Sequence, residues 1–233
     1  MQLFFHSELG SDMIQLSRDE AMHAIKSLRM RQGDAISITD GRGTLARGEI
    51  IVADPSACSV RITERDISER RANCNLHIAV APTKNADRIE WFVEKSVEIG
   101  IDEITPLITH NTERTRINYD RLCKIAVSAM KQSLHTHLPT IHSASRYADF
   151  IGRDFDAIKM ICHGHYDNPQ TLPQAYQPQH NAVVVIGPEG DFTPDEIRLA
   201  DTHGFRPVSL GVSRLRTETA ALFAVSAINL INQ

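Results

Sequence analysis

Two kinds of hydrophobic pattern divide this chain. In the N-terminal third, short stretches alternate apolar and polar side chains: residues 35–39, 46–52 and 58–62 of GDAISITDGRGTLARGEIIVADPSACSVRITER. Alternation of period two is that of a half-buried strand. Turn signals separate the stretches, Asp40-Gly41-Arg42-Gly43 and Asp54-Pro55-Ser56. Strands this short, at this spacing, predict a small barrel or sandwich. A helix over residues 18–28 precedes them, with Ser17 as its N-cap. The polar run DISERRANCN, residues 66–75, reads as a linker and sets domains at 1–72 and 73–233.

From Leu76 onward strands alternate with helices. LHIAVAP is a short apolar strand, and DRIEWFVEKSVEIG places Ile89, Phe92, Val93, Ser96 and Val97 on one helical face, with Gly100 as the stop. DEITPLIT reads as a strand, YDRLCKIAVSAMKQSL as a helix, DAIKMICH and NAVVVIGPEG as strands. A helix, the strand PVSLG and a final helix complete the chain. This alternation predicts a parallel sheet covered on both faces. The final segment TAALFAVSAINLINQ is apolar around nearly its whole circumference, so it needs burial on more than one side.

Composition narrows the class. With 42% hydrophobic and 23% charged residues, the chain is that of an ordinary globular protein. No apolar run approaches the roughly 20 residues that span a membrane, and MQLFFHSELGSD lacks the marks of a signal peptide. Cys58, Cys74, Cys123 and Cys162 form no CxxC pair and read as reduced core thiols. A cytoplasmic location is expected. A net charge of −4 excludes a protein that coats nucleic acid by bulk electrostatics. A local patch is still open: nine of the ten basic residues within 1–72 are arginine, the better fork for phosphate. A solvated arginine-rich surface would look the same.

In an open parallel sheet, ligands sit beyond the carboxyl ends of the strands. Three such ends carry unusual material here: CHGHYD, GPEGDF and LGVSRLR. The second is the clearest, because apolar residues 182–186 run straight into Gly187-Pro188-Glu189-Gly190. Thr193 then caps a helix, Pro194 opens it and Glu196 closes a capping box. An ordinary βα turn would share these features. P-loop, dinucleotide, nucleophile-elbow and HExxH motifs are all absent. Histidines come close only as His135/His137 and His163/His165, without the partners a zinc site requires, and no metal is expected.

GPEGDFTPDEI, followed some twenty residues on by LGVSRLRTETA, resembles the paired signature of the SPOUT methyltransferases. Within them it is similar to the ribosomal small-subunit methyltransferase E family. KNADRIEWFVEKSVEIGIDEITPL, KQSLHTHLP and HAIKSLRMRQGD match further segments of that family in its own order, so the resemblance covers nearly the whole chain. Asp191 stands where the family has glycine, and His135 where it commonly has arginine; Asp191 is expected to alter only the turn.

The resemblance implies a trefoil-knotted α/β domain with a parallel sheet and an N-terminal PUA-like β-barrel. It implies S-adenosylmethionine as methyl donor, held by His163, Gly187, Glu189, Gly190, Leu210, Gly211, Leu215, Arg216 and Thr217. Gly187 and Gly211 let backbone approach the ligand, while Leu210 and Leu215 bracket the adenine. The acceptor implied is N3 of a uridine in the 16S RNA of the small ribosomal subunit, with Lys26, Arg29, Arg31, Lys84 and Arg88 on RNA. A homodimer through the last helix is implied as well. Loss of the N3 proton spreads negative charge over the flanking oxygens, and a nearby cation favours that anion. Arg216 is the first candidate for this role, and Glu189 and Glu218 for proton acceptance or for orienting the arginine. A ribose 2′-O-methyltransferase, or a catalytically silent RNA-binding or assembly factor on the same fold, would share these features.

Overall fold

The computed structural model describes residues 2–68, 74–164 and 169–233. The chain divides into two compact units, one of Met1–Arg70 with Val127–Leu138, the other of Arg71–Ala126 with Pro139–Gln233. The first unit is therefore discontinuous in sequence. The expected boundary between residues 72 and 73 lies outside the described residues.

In the first unit β1 (Leu3–Phe5) and β2 (Met13–Gln15) precede α1 (Arg18–Met22), which continues into a π-helical turn, His23–Ser27. The Ser17 hydroxyl accepts the Glu20 N–H at 3.3 Å, the expected N-cap. Strands β3 (Ala35–Thr39), β4 (Thr44–Val52) and β5 (Ser59–Ile67) follow. The sheet runs β1-β3-β4-β5-β2 and curls into a half-barrel, with only β1 and β3 parallel. Alternation turns Ile36, Ile38, Ala46, Ile50, Val60 and Ile62 inward onto Phe4, Ala21 and Ala24. β5 reaches Ile67, so Asp66 belongs to a strand and not to a linker. Val127–Leu138 supplies backbone partners to this unit: the Thr136 carbonyl accepts from Gly43 N at 2.9 Å, and Leu138 N donates to the Gly41 carbonyl at 2.8 Å.

The second unit alternates as its pattern predicts. β6 (Leu76–Val80), α2 (Ala86–Ile99), β7 (Glu103–Ile108) and α3 (Tyr119–Gln132) come first, then the short β8 (Thr140–Ile141), β9 (Ser145–Arg146) and α4 (Tyr147–Ile151). β10 (Ile158–Cys162), β11 (Gln170–Thr171), α5 (Leu172–Ala175), β12 (Ala182–Ile186), α6 (Pro194–Thr202), β13 (Arg206–Ser209) and α7 (Thr217–Ile231) complete it. The order is β11-β13-β10-β12-β6-β7-β8, with β9 beside β7, and every pairing is parallel.

β6 and β12 are buried at every position, as central parallel strands must be. One sheet face packs Ala79, Leu107, Ile161, Val183 and Val185 against Tyr147, Phe150, Phe192 and Phe205. On α2 the buried residues are Ile89, Phe92, Val93, Ser96 and Val97, the set that the 3.6-residue period selects. α7 packs against α2, β6 and β12. It buries Ala221, Ala224, Val225 and Ile228, and leaves Phe223 and Leu230 exposed. Among the described residues no helix is long and apolar enough to cross a membrane. All four cysteines are free; Cys58 and Cys74 are buried, Cys123 and Cys162 only partly so.

Candidate active site

Strand order brings the three unusual strand ends together. β13, β10 and β12 are adjacent and parallel, so their carboxyl ends open on the same side of the sheet. The segments beyond them line one cavity of about 760 Å³: Cys162–Gly164 after β10, Gly187–Glu189 and Asp191 after β12, and the whole run from Ser209 to Thr217 after β13. That volume lies in the ordinary range of small-molecule sites.

Local hydrogen bonds shape the walls. Thr217, the first residue of α7, donates its hydroxyl to the Gly187 carbonyl at 3.0 Å and ties that helix to the end of β12. Thr193 and Glu196 form the expected capping box, with Thr193 Oγ1 accepting from Glu196 N at 3.2 Å and Glu196 Oε2 accepting from Thr193 N at 2.9 Å. Asp191 adopts a positive φ of 59°, the region that favours glycine. Its carboxylate accepts from Gly164 N and Phe192 N at 2.9 and 2.8 Å, so it does more than alter the turn: it joins the loop after β10 to the loop after β12.

Each of the two glycines also meets a requirement of the fold itself. A Cβ on Gly187 would stand 2.9 Å from the Phe192 ring, so the buried ring behind the loop requires glycine there. Gly211 has open space around it but a φ of +115°, so its requirement is conformational.

The charges are arranged around Arg88, at the start of α2. Its guanidinium lies 3.8 Å from Glu189 Oε1 and 3.8 Å from Glu218 Oε1. Glu218 is buried and is not among the residues that line the cavity; among the described residues its Oε2 has no hydrogen-bond partner. Such an atom is costly unless a ligand serves it. Glu189 is exposed at the rim. Arg216, which precedes α7, is exposed and, among the described residues, makes no ion pair; the acids orient on Arg88 and not on Arg216. Burial, and then the Asp191 charge, pushes the Cys162 thiol up to about 12, so it is an inert wall.

Of the expected donor residues, His163, Gly187, Glu189, Leu210, Gly211, Leu215, Arg216 and Thr217 line the cavity. Gly190 stands beside it, its carbonyl accepting from Asn111 Nδ2 at 3.1 Å. Arg88, expected on RNA, lines it too. Lys84 is exposed and pairs with Glu113 at 3.4 Å. Lys26, Arg29 and Arg31 are exposed in the first unit, as is the segment's neighbour Ser27. His135 lies in Val127–Leu138, with the first unit; His165 lies outside the described residues. Sequence reasoning missed Asp191's link and the pairing of Arg88 with Glu189 and Glu218, which joins residues roughly a hundred positions apart.

A family model described as an RNA methyltransferase domain matches residues 70–229. The chain belongs to this RNA methyltransferase family. A second model, an RNA methyltransferase PUA domain, matches residues 16–63, within the half-barrel. The chain is similar to a probable rRNA-methyltransferase from Porphyromonas gingivalis, with 38% identity, a TM-score of 0.93 and coverage of 100% of this chain and 98% of that one. It is 27% identical to Ribosomal RNA small subunit methyltransferase E of Rickettsia conorii, over 99% of this chain and 95% of that protein. A Ribosomal RNA small subunit methyltransferase E from Neisseria gonorrhoeae, solved bound to S-adenosyl methionine, aligns at a TM-score of 0.87 with 26% identity, over 100% of this chain and 98% of that one. In this RNA methyltransferase, then, the cavity described above lies within the matched methyltransferase domain.

Proposed function

We propose that this protein transfers the methyl group of S-adenosylmethionine to N3 of a uridine in the 16S RNA of the small ribosomal subunit, in the cytoplasm. The observation that carries the reading is the single cavity built by three adjacent strand ends, with the segments GPEG and LGVSRLRT as its walls. Arg88 and Glu189 bring charge of both signs to the lining, and the cavity volume suits a nucleoside. The names of the Rickettsia and Neisseria relatives support the donor and the RNA class.

In this reading Gly187, Gly190, Gly211 and Thr217 present main chain to the donor, Leu210 and Leu215 bracket its adenine, and His163 closes the side formed by β10. The donor supplies an electrophilic methyl group. Arg216, exposed and without an ion pair among the described residues, stabilises the negative charge that spreads over the uridine oxygens as the N3 proton leaves. Glu189, exposed at the lining of the same cavity, accepts that proton, while Arg88 holds Glu189 and the buried Glu218 in place. Lys26, Arg29, Arg31 and Lys84 contact phosphate and position the RNA. The knotted threading of α7 that the family resemblance implies belongs to this reading.

Product analysis tests the reaction: after incubation with labelled donor and small-subunit RNA, nucleoside mass spectrometry should return N3-methyluridine. A ribose-methylated product would overturn the reading. The donor site has its own test. Gly211→Val forces a branched residue into a φ of +115°, at a cost of about 1–3 kcal/mol. Calorimetric titration should show donor affinity lowered by roughly tenfold or more, with the melting temperature lowered by about 2–4 °C per kcal/mol of strain and the transition still cooperative. Unchanged affinity would move the donor elsewhere.

We propose a homodimer through α7. Phe223 and Leu230 are seven residues apart on one helical face and stand 46% and 68% exposed, with Trp91 of the adjoining α2 at 42%. A second copy covering this strip would bury all three. Light scattering at assay concentration should give twice the chain's mass, and Phe223→Glu should return it to one; the mass of one chain in the unaltered protein would reject the dimer.

A further inference from the structure

At the opposite end of the strands from the donor cavity, three side chains suited to a metal converge. His77 on β6 pairs in register with Glu103, the first residue of β7, so both point to the same sheet face. His142 follows β8, and its backbone N–H donates to the Ile104 carbonyl at 2.8 Å, which fixes it beside β7. One ligand atom from each of the three lies within 4.8 Å of the others. Two strands and the turn after a third thus deliver two imidazoles and a carboxylate to one point, with no sequence spacing to announce it.

We propose that His77, Glu103 and His142 form a site for a divalent transition-metal ion of the zinc class, one that staples three strands together. It goes beyond the methyl-transfer reading and plays no part in that reaction. Two nitrogens and one oxygen are a ligand set that zinc accepts, with a fourth position left to water.

The distances fit a metal better than a complete hydrogen-bond network. Glu103 Oε2 lies 2.6 Å from His142 Nε2 and 3.7 Å from His77 Nδ1, the latter beyond hydrogen-bond reach. Ligand atoms around one tetrahedral zinc stand roughly 3.3 Å apart, given bonds of ~2.0–2.1 Å. Binding therefore asks the Glu103–His142 pair to open by about 0.7 Å and the Glu103–His77 pair to close by about 0.4 Å, within the freedom of side-chain torsions.

The surrounding contacts orient the ligands. His77 Nε2 is 2.8 Å from Thr105 Oγ1; as a donor to that hydroxyl, it leaves the Nδ1 lone pair aimed at the cluster. Glu103 Oε1 accepts from Asn75 Nδ2 at 2.7 Å, which leaves Oε2 turned toward the histidines. The His77 and His142 rings stack with centroids 5.2 Å apart, and the edges of Phe150 and Phe155 wall the apolar side. An open cavity of about 490 Å³, lined by His142, Tyr119 and Arg116, gives an ion a path in. The Arg153 guanidinium, held by Ser145 and the Phe150 ring, works against a cation and limits affinity.

The test is calorimetric titration of zinc chloride into the full-length, chelator-treated protein, with thermal unfolding alongside. One equivalent should bind and raise the unfolding midpoint. His142→Ala, at a side chain one-third exposed, and Glu103→Gln should each weaken binding by about 10–100-fold and abolish the rise in midpoint. Circular dichroism identifies a variant that has failed to fold, in which case the other variant decides. Absence of saturable binding at micromolar zinc would overturn the site. So would one equivalent bound with unchanged affinity in both folded variants, since the ion would then sit elsewhere.

Discussion

Replacing Arg216 by alanine is expected to lower the single-turnover rate of methyl transfer by about 10²–10³-fold, the usual cost of removing one group that stabilises a developing anion. Donor affinity, to which Arg216 contributes one of many lining contacts, should fall far less than the rate. Arg216 is exposed and precedes α7 without capping it through its side chain, so nothing in the fold depends on the guanidinium. Surface changes of that kind shift stability by about 0.5 kcal/mol or less. The loss should therefore be in rate at saturating donor and RNA, and Arg216→Lys should restore part of it, because a point charge replaces a fork. Arg88 supplies the control. It holds Glu189 and Glu218 at 3.8 Å each, so Arg88→Ala frees two carboxylates at once and should disturb donor binding as well as rate. An unchanged rate in Arg216→Ala, with loss in Arg88→Ala, would transfer the cationic role to Arg88.

Deleting residues 1–72 is expected to damage the fold as well as RNA binding, because Val127–Leu138 belongs to the first unit. Lys131 forms an ion pair with Glu20 in which both side chains are mostly buried, at 19% and 10% exposure. Removing one partner of a buried pair costs about 3–5 kcal/mol. The Thr136 carbonyl would lose both the Thr39 hydroxyl and Gly43 N, and Leu138 N would lose the Gly41 carbonyl. The truncated chain should therefore unfold without a cooperative transition near that of the full protein. Glu20→Ala in the intact chain should reproduce much of the loss in a denaturant titration. A cleaner probe of RNA binding is Arg29→Ala with Arg31→Ala, both at exposed positions. That pair should leave melting and donor affinity intact, weaken RNA binding, and flatten its salt dependence by a slope of about 1.4–1.8 as two phosphate contacts are lost. A truncated chain that melts cooperatively and binds donor normally would refute the structural dependence.

The sequence alone determined what local physics controls. Helical period selected the buried face of α2 from Ile89 to Val97, and two-residue alternation located β3, β4 and the start of β5. Thr193, Pro194 and Glu196 announced the start of α6, because a capping box is complete within four residues. The donor segments were legible as motifs for the same reason, each being one continuous turn. Only the tertiary structure decided which turns share a cavity, since that depends on β13, β10 and β12 becoming neighbours.

The same holds for the strands of two or three residues, β1, β2, β8, β9 and β11, which are too short to carry a period and exist because a neighbour's edge pairs with them. It also holds for Val127–Leu138, whose partners Gly41, Gly43 and Glu20 lie about a hundred residues away. Arg88 between Glu189 and Glu218, the Phe192 ring behind Gly187, and the convergence of His77, Glu103 and His142 are contacts of that kind. Side chains three or four apart on a helix, or two apart on a strand, meet because backbone geometry makes them meet. Those far apart in sequence meet only where strand order and register bring them, and no local pattern encodes either.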